Sequence, residues 1–477
     1  MSHRLNEQAP SPGKTGPVDR ATRVLSTVLA VLAVAGCSPV PPDDGRPAVA
    51  DAIRERTGHG PIGGPLPGDF SSITDGVTLS EADAIDLALV NNAAFQEQFA
   101  DLGLTRADVI QAGLIANPDA LLLIPVGPKQ LEATITAPLE ALWLRGPRIG
   151  VARLANDRNV ARLTQAGLDL VRDVRLAYAD AALARRRVEL VTAALADREK
   201  VADIAKARVR AGDAGPLDAA TANVELLLAR RDAEALRFAR DLADERLRAL
   251  LGAGAVRTAL TVEPVPPDER WADPDVEQLV PAALAGRPDL RAADLAEQSA
   301  RARAALARYD WINLSFVADA NERGAKGFEA GPGFRFVLPI FNQNQGAIAR
   351  ADAELERAVR ARRTLTDRVI LDVREAHLRY RQARAELTAW RADVRPALEQ
   401  AHDLARRAYE RGATPQVQVL DTNRQLLDAR AREAQAAADA RRAWAELERS
   451  VGRRLDTPAP APASSPAPPA AQNGDRR

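Results

Sequence analysis

Apolar positions recur at helical spacing in two very long runs, and each run follows a pair of short strand-like stretches. The first pair is Leu121-Leu122-Leu123-Ile124 and Leu131 to Leu139; the second of these alternates apolar and polar with period two. Pro125 to Pro128 supplies turn residues between them, so the pattern predicts a β-hairpin. Past Gly146-Pro147 the period becomes helical and holds to Arg210, interrupted by no proline and only by Gly150 and Gly167. Roughly 60 residues at about 1.5 Å each make a rod of about 90 Å. Trp311 to Val317 and Gly333 to Leu338 form a second hairpin around the polar loop Asn321 to Gly331. A second rod runs from Gly346 to Arg411, with Pro396 expected to bend it. Its apolar positions Ile348, Leu355, Val359, Val369, Val373, Ala376, Tyr380, Ala383, Leu387 and Trp390 approximate a 3.5 period, as in coiled-coil packing. Partner helices follow over Pro216 to Leu251 and Pro415 to Val451. Shorter helices precede the hairpins. One opens at Ser80, a Ser N-cap with Asp83 three residues on, and ends by Leu114 before Asn117-Pro118. The other spans Val276 to Arg308 with a break at Gly286-Arg287-Pro288-Asp289.

The order is the same twice. The turn Arg210-Ala211-Gly212-Asp213-Ala214-Gly215-Pro216, then Asn223 and Leu226-Leu227, returns as Arg411-Gly412-Ala413-Thr414-Pro415, then Asn423 and Leu426-Leu427. Ala137-Pro138-Leu139 and Leu338-Pro339-Ile340 repeat at nearly the same offset. Gly212 suits a helix C-cap and Pro216 the first position of the next helix. The expected fold class is therefore mainly α with a small β part and an internal two-fold repeat. The first repeat covers 79–255 and the second 276–455, with a Pro-rich linker over 256–275 and a disordered tail over 456–477.

Composition narrows the role. Lys+Arg and Asp+Glu balance at 65 each in 477 residues, so charge makes no case for nucleic acid. Arg20 and Arg23 precede the apolar stretch Val24 to Val34, with Ala35-Gly36-Cys37 after it. That is an export signal over 1–36, too short to span a bilayer, which needs about 20 residues. Val34-Ala35-Gly36-Cys37 resembles a bacterial lipobox, making Cys37, the only cysteine, the lipidated first residue of the mature chain. Ser38 beside it resembles the pattern sorted to the outer membrane. The Pro- and Gly-rich residues 37–78 read as an extended tether. No other segment reaches 18 apolar residues, so any spanning element is a β-barrel. Four strands per chain cannot close a membrane barrel, for which eight is the usual minimum. Three copies would supply twelve and leave no open edges.

The segment from Leu338 to Leu355, Leu338-Pro339-Ile340-Phe341-Asn342-Gln343-Asn344-Gln345-Gly346 and onward, resembles the entry into the long helix in TolC-type outer membrane efflux proteins. Tyr409-Glu410-Arg411-Gly412 with Val419-Leu420-Asp421 does so too, and the likeness covers about Thr78 to Leu455. It implies a homotrimer with a shared twelve-stranded transmembrane barrel and a helical α-barrel in the periplasm. It also implies a periplasmic adaptor and an inner membrane pump of the resistance-nodulation-division type as partners. Phe341 to Gly346 looks closest to the heavy-metal branch. The implied function is a passive exit duct in the bacterial outer membrane, with heavy-metal cations as cargo. Organic solutes are the alternative cargo, and a lipid-anchored coiled-coil scaffold without a pore is the alternative role.

The resemblance also implies where a gate would lie: at the tips, where rod turns into partner helix. Asp218 and Asp421 match acidic positions of the family there, and Gln418 stands where the family has a second acid. Gly212, Pro216, Gly412 and Pro415 form the tip turns. An acid in the first turn of a helix, such as Asp218, is also favoured by the helix dipole, and Asp421 lies within reach of Arg424. Chemistry for catalysis is missing. His3, His59, His377 and His402 are scattered, one cysteine makes no redox or zinc motif, and no nucleophile–base set is credible. The expectation is a non-enzyme with no cofactor beyond the lipid on Cys37, no metal site and no nucleic-acid partner.

Overall fold

The computed structural model describes residues 45–60, 78–124, 131–256, 260–263, 274–322, 328–411, 413–414 and 416–455. Cys37, Gly412 and Pro415 lie outside them, as do the signal 1–36, most of the linker and the tail 456–477. In chain order the elements are α1 (Arg46–Thr57), β1 (Thr78–Leu79), α2 (Glu81–Asn91), α3 (Ala93–Gly113), β2 (Asp119–Leu123), β3 (Glu132–Pro138), α4 (Ala141–Ala211) and α5 (Pro216–Leu250). There follow β4 (Thr261–Val262), α6 (Val276–Gly286), α7 (Pro288–Ala307), β5 (Leu314–Glu322), β6 (Phe328–Phe336), α8 (Gln345–Thr388), a π turn (Ala389–Val394), α9 (Arg395–Glu410) and α10 (Gln416–Val451). Contacts divide the chain into two units. One holds 1–47, 99–160 and 292–363, the other 48–98, 161–291 and 364–477.

The first unit carries a four-stranded antiparallel sheet in the order β2-β3-β5-β6. Both expected hairpins are present, and β3 pairs with β5 to join them, Ile135 opposite Ala318. The sheet has no buried face. Leu121, Leu122, Ile135, Phe334 and Phe336 are all exposed.

The second unit holds the helical core. Leu279, Val369, Val373, Ala376, Tyr380, Leu447 and Val451 form one buried cluster, so the coiled-coil positions from 369 to 380 face inward. Arg287, at the expected break between α6 and α7, is only 3% exposed. It donates to Asp289 (2.6 Å), Asp372 (3.3 Å) and the Ser450 carbonyl (3.1 Å). A parallel β1–β4 pair, absent from the periodicity because each strand is two residues long, is fastened by Tyr178. Its hydroxyl donates to the Leu79 carbonyl at 2.8 Å and accepts from the Glu263 amide at 3.0 Å.

Four expectations change. The stretch 37–78 is not extended throughout, because α1 forms over 46–57 and buries Val49 and Ile53. Those residues lie four apart, so one turn of helix puts both on the packed face. The helix expected over 80–114 is two, α2 and α3. Ser80 caps the first, its Oγ accepting from the Asp83 amide (3.1 Å). Asn92 caps the second through the Phe95 amide (3.0 Å) while donating to the Leu250 carbonyl (2.9 Å), and a cap residue has non-helical backbone. The first rod starts at Ala141 and contains Pro147, whose missing N–H costs only the bond to the Trp143 carbonyl near the helix start. Pro396 does not simply bend the second rod: the helix widens at 389–394, where the Arg395 amide reaches the Trp390 carbonyl, and α9 restarts with proline in its first turn.

Candidate functional site: helix turns and strand faces

The tips belong to the second unit. At the first, Gly212 adopts φ +83°, the left-handed conformation that closes α4, and its amide bonds the Val209 carbonyl at 3.1 Å. Gly215 and Pro216 open α5, and the Asp218 carboxylate accepts from the Gly215 amide at 3.2 Å. At the second, the Ala413 amide bonds the Ala408 carbonyl at 2.9 Å. Asp421 is exposed, paired with Arg424 (3.3 Å) and accepting from Gln425 (2.8 Å). Gln418 is exposed, and its carbonyl accepts from Thr422 Oγ1 at 3.0 Å. Within one chain, then, each tip carboxylate is held by its own helix, Asp218 as a cap and Asp421 in an i,i+3 pair. Behind each tip the same bridge ties rod to partner helix: Arg230 to Glu199 at 3.1 Å and Arg430 to Glu399 at 3.3 Å.

α5 carries an uncovered stripe. Leu217, Val224, Leu228, Phe238 and Leu242 fall on one side at 3.6-residue periodicity and are 49–77% exposed. Leu371 and Leu378 on α8 are exposed one heptad apart.

Register sorts the strands of the first unit. Leu122, Ala133, Ala320 and Ala330 are directly opposed across the sheet, as are Ala120, Ile135, Ala318 and Pro332. With Ala137, Phe316 and Phe334, and with Leu314 and Phe336, this face is apolar up to the Ala133, Ala320 and Ala330 row, beyond which β5 ends on Glu322. Phe316 and Phe334 meet edge to face, centroids 5.9 Å apart. The other face carries Asp119, Glu132, Thr134, Thr136, Ser315, Asp319, Asn321, Glu329 and Arg335. Thr134 Oγ1 donates to Asp319 across it at 2.8 Å. Two-residue alternation with one apolar face is what a strand needs when lipid lies on one side and water on the other. Sequence reasoning named Leu121 among the strand residues, but pairing with Thr134 puts it on the polar face.

The histidines are not gathered. His59 Nδ1 lies 3.2 Å from Asp86, His402 Nδ1 lies 3.3 Å from Thr422 Oγ1, and His377 is buried. Among the described residues no group of three His, Cys, Asp or Glu could hold a metal ion, and no helix is long and apolar enough to cross a membrane.

Comparison with known proteins gives a concordant picture. A family model described as outer membrane efflux protein matches residues 130–253 and 279–453. The cobalt-zinc-cadmium resistance protein CzcC of Cupriavidus metallidurans is 26% identical over 384 residues, covering 78% of this chain and 89% of that protein. Among solved structures, CusC superposes with TM-score 0.66 at 17% identity, covering 79% of this chain and 93% of its own. The outer membrane protein VceC of Vibrio cholerae gives TM-score 0.65 at 17% identity, covering 78% and 96%.

Proposed function

Because the chain belongs to the outer membrane efflux protein family, we propose that it is the outer membrane duct of a three-part export assembly, working as a homotrimer. The observation that carries this is the two-faced sheet. Among the described residues of the first unit its apolar face is left uncovered, and β2 and β6 each leave one edge unpaired. Three copies joined edge to edge make a closed twelve-stranded barrel, satisfying every edge and presenting the apolar face to lipid. The exposed stripe on α5 is likewise covered when helices of neighbouring copies pack into a periplasmic α-barrel.

The duct is passive. Solute arrives from an inner membrane pump of the resistance-nodulation-division type through a periplasmic adaptor, and the helix tips form the gate. Three copies of Asp218, Gln418 and Asp421 ring the opening, and adaptor contact separates packed helices. Lipidation of Cys37 anchors the chain to the outer membrane. Heavy-metal cations are the cargo favoured by the likeness to a protein named for cobalt, zinc and cadmium resistance; organic solutes are the alternative. The chain does no chemistry of its own.

The test is single-channel recording of purified protein in planar bilayers, wild type beside Asp218→Asn/Asp421→Asn. Discrete conductance steps are expected, with lower cation preference in the variant. No conductance from either protein would overturn the duct and leave the scaffold.

A further inference from the structure

We propose that a recess in the second unit, between the end of α1 and the adjoining stretches of α4 and α10, binds a small oxyanion. The shared chemistry is that of free phosphate and of a lipid headgroup phosphate. The recess is small and open to solvent, about 270 Å³ with that solvent counted. Its lining is unusual. Arg56, Arg172, Arg175, Arg449, Arg453 and Arg454 surround it, and Glu448 is the one carboxylate among them.

The arginines are pinned in a common way. Arg172 donates Nη1 to Glu446 (3.0 Å), and its Nε lies 2.7 Å from Asp173 without being aligned to donate to it. Arg175 donates Nη1 to Glu448, and its Nε, 3.3 Å from Glu81, makes no hydrogen bond. Arg449 donates Nε to Asp169 (2.7 Å) and faces Glu446 at 3.8 Å. All the carboxylates except Glu448 lie outside the lining. Each of the three arginines has one directed bond to a carboxylate and an Nη2 group with no protein acceptor among the described residues. Arg56 spends Nη1 on the Ala52 carbonyl (3.1 Å). A guanidinium anchored through one such bond keeps its remaining N–H groups, in a fixed planar fork, to donate to phosphate or carboxylate oxygens. Because the paired acids nearly balance the cations, binding rests on directed donors rather than on net charge. It is therefore modest and sensitive to competing salt.

The position gives the anion a consequence. The Arg454 amide already closes the end of α1 by donating to the Arg56 carbonyl at 2.8 Å. An oxyanion held jointly by Arg56, Arg172 and Arg449 would fasten α1 to α4 and α10.

The experiment uses the full chain in detergent micelles at constant ionic strength, with chloride exchanged for inorganic phosphate. The readouts are the unfolding midpoint and the ³¹P linewidth of phosphate. A saturable rise of roughly 2 °C is expected, the order that a ligand near ten times its Kd gives a large protein. Linewidth should broaden with protein. Both effects should vanish in Arg56→Gln, whose ion-pair losses are small. They should weaken in Arg172→Lys, which keeps the charge but not the fork. If inorganic phosphate is silent but added phosphatidylglycerol raises the midpoint in wild type and not in Arg56→Gln, the source is lipid and the proposal stands. No response to either, or an equal response in Arg56→Gln and wild type, overturns it and leaves the cluster as a salt-bridge lattice alone.

Discussion

Ala318 and Val317 are neighbours on β5 that occupy opposite faces of the sheet. Ala318 is opposed by Ile135 and Pro332 on the apolar face, Val317 by Thr136 and Gly333 on the polar one. Ala318 is the fifth of nine residues in β5. At about 3.4 Å per residue the strand is about 30 Å long, so either end is about 14 Å away. If the apolar face meets lipid, residue 318 sits near the bilayer midplane. Arginine there costs about 2–4 kcal/mol per chain, whereas a lumen position costs little. In the proposed trimer, three chains in one barrel would raise the difference to about 6–12 kcal/mol per assembly. Ala318→Arg should therefore be lost from the outer membrane fraction, and its urea midpoint in lipid vesicles should fall steeply by tryptophan fluorescence. Val317→Arg, with Asp319 two residues along the same face, should insert and unfold nearly as wild type. Equal loss in both variants, or a greater loss in Val317→Arg, would refute the assignment of faces and with it the lipid-facing barrel.

Three further outcomes follow from the second unit. Gly167→Ala places a methyl against Ile53, whose Cγ1 would lie 2.9 Å away. Overpacking of about 1–3 kcal/mol outweighs the helix-propensity gain of about 1 kcal/mol. The substitution should destabilise wild type and increase hydrogen exchange in 46–57, yet stabilise an Ile53→Ala background; the same sign in both backgrounds would refute the contact. Burial pushes the Tyr178 phenol up to about 12. The folded state then keeps its proton while the unfolded chain loses it near 10, so stability should fall as pH rises from 10 to about 12. The wild-type minus Tyr178→Phe difference in phenolate absorbance should show a phase centred near 12. Arg287→Ala leaves Asp289 and Asp372 without their buried cation and should cost about 3–5 kcal/mol, read as a lowered denaturation midpoint; Arg287→Met with Asp372→Leu should recover part of it.

The proposed gate residues show how far a local reading goes. That Asp218 caps its own helix and Asp421 pairs with Arg424 was legible from spacing, because both contacts lie within four residues along the chain. The bridges Arg230–Glu199 and Arg430–Glu399 were not, though they stand at equivalent places in the two repeats. With arginine at so many helix surface positions, spacing names no partner for any of them. Asn92 is a mixed case: its cap on the Phe95 amide is local, but apolar spacing runs on through it, and its bond to the Leu250 carbonyl joins residues 158 apart.

The sequence by itself did not reveal α1, the break at Asn92 or the β1–β4 pair. It determined the two rods, their partner helices and the two hairpins, where the rods turn, and that the pattern occurs twice. Those properties follow from periodicity and from Gly, Pro and Asn acting within a few residues. Only the tertiary structure decided which side of β2 joins the apolar face. Leu121 to Ile124 is a continuous apolar run with no alternation to read, and a slip of one residue would reverse it. The pairing of Leu122 with Ala133, and of Leu121 with Thr134, settles it. Register across 185 residues, as between Thr134 and Asp319, belongs to the folded chain because nothing local encodes it.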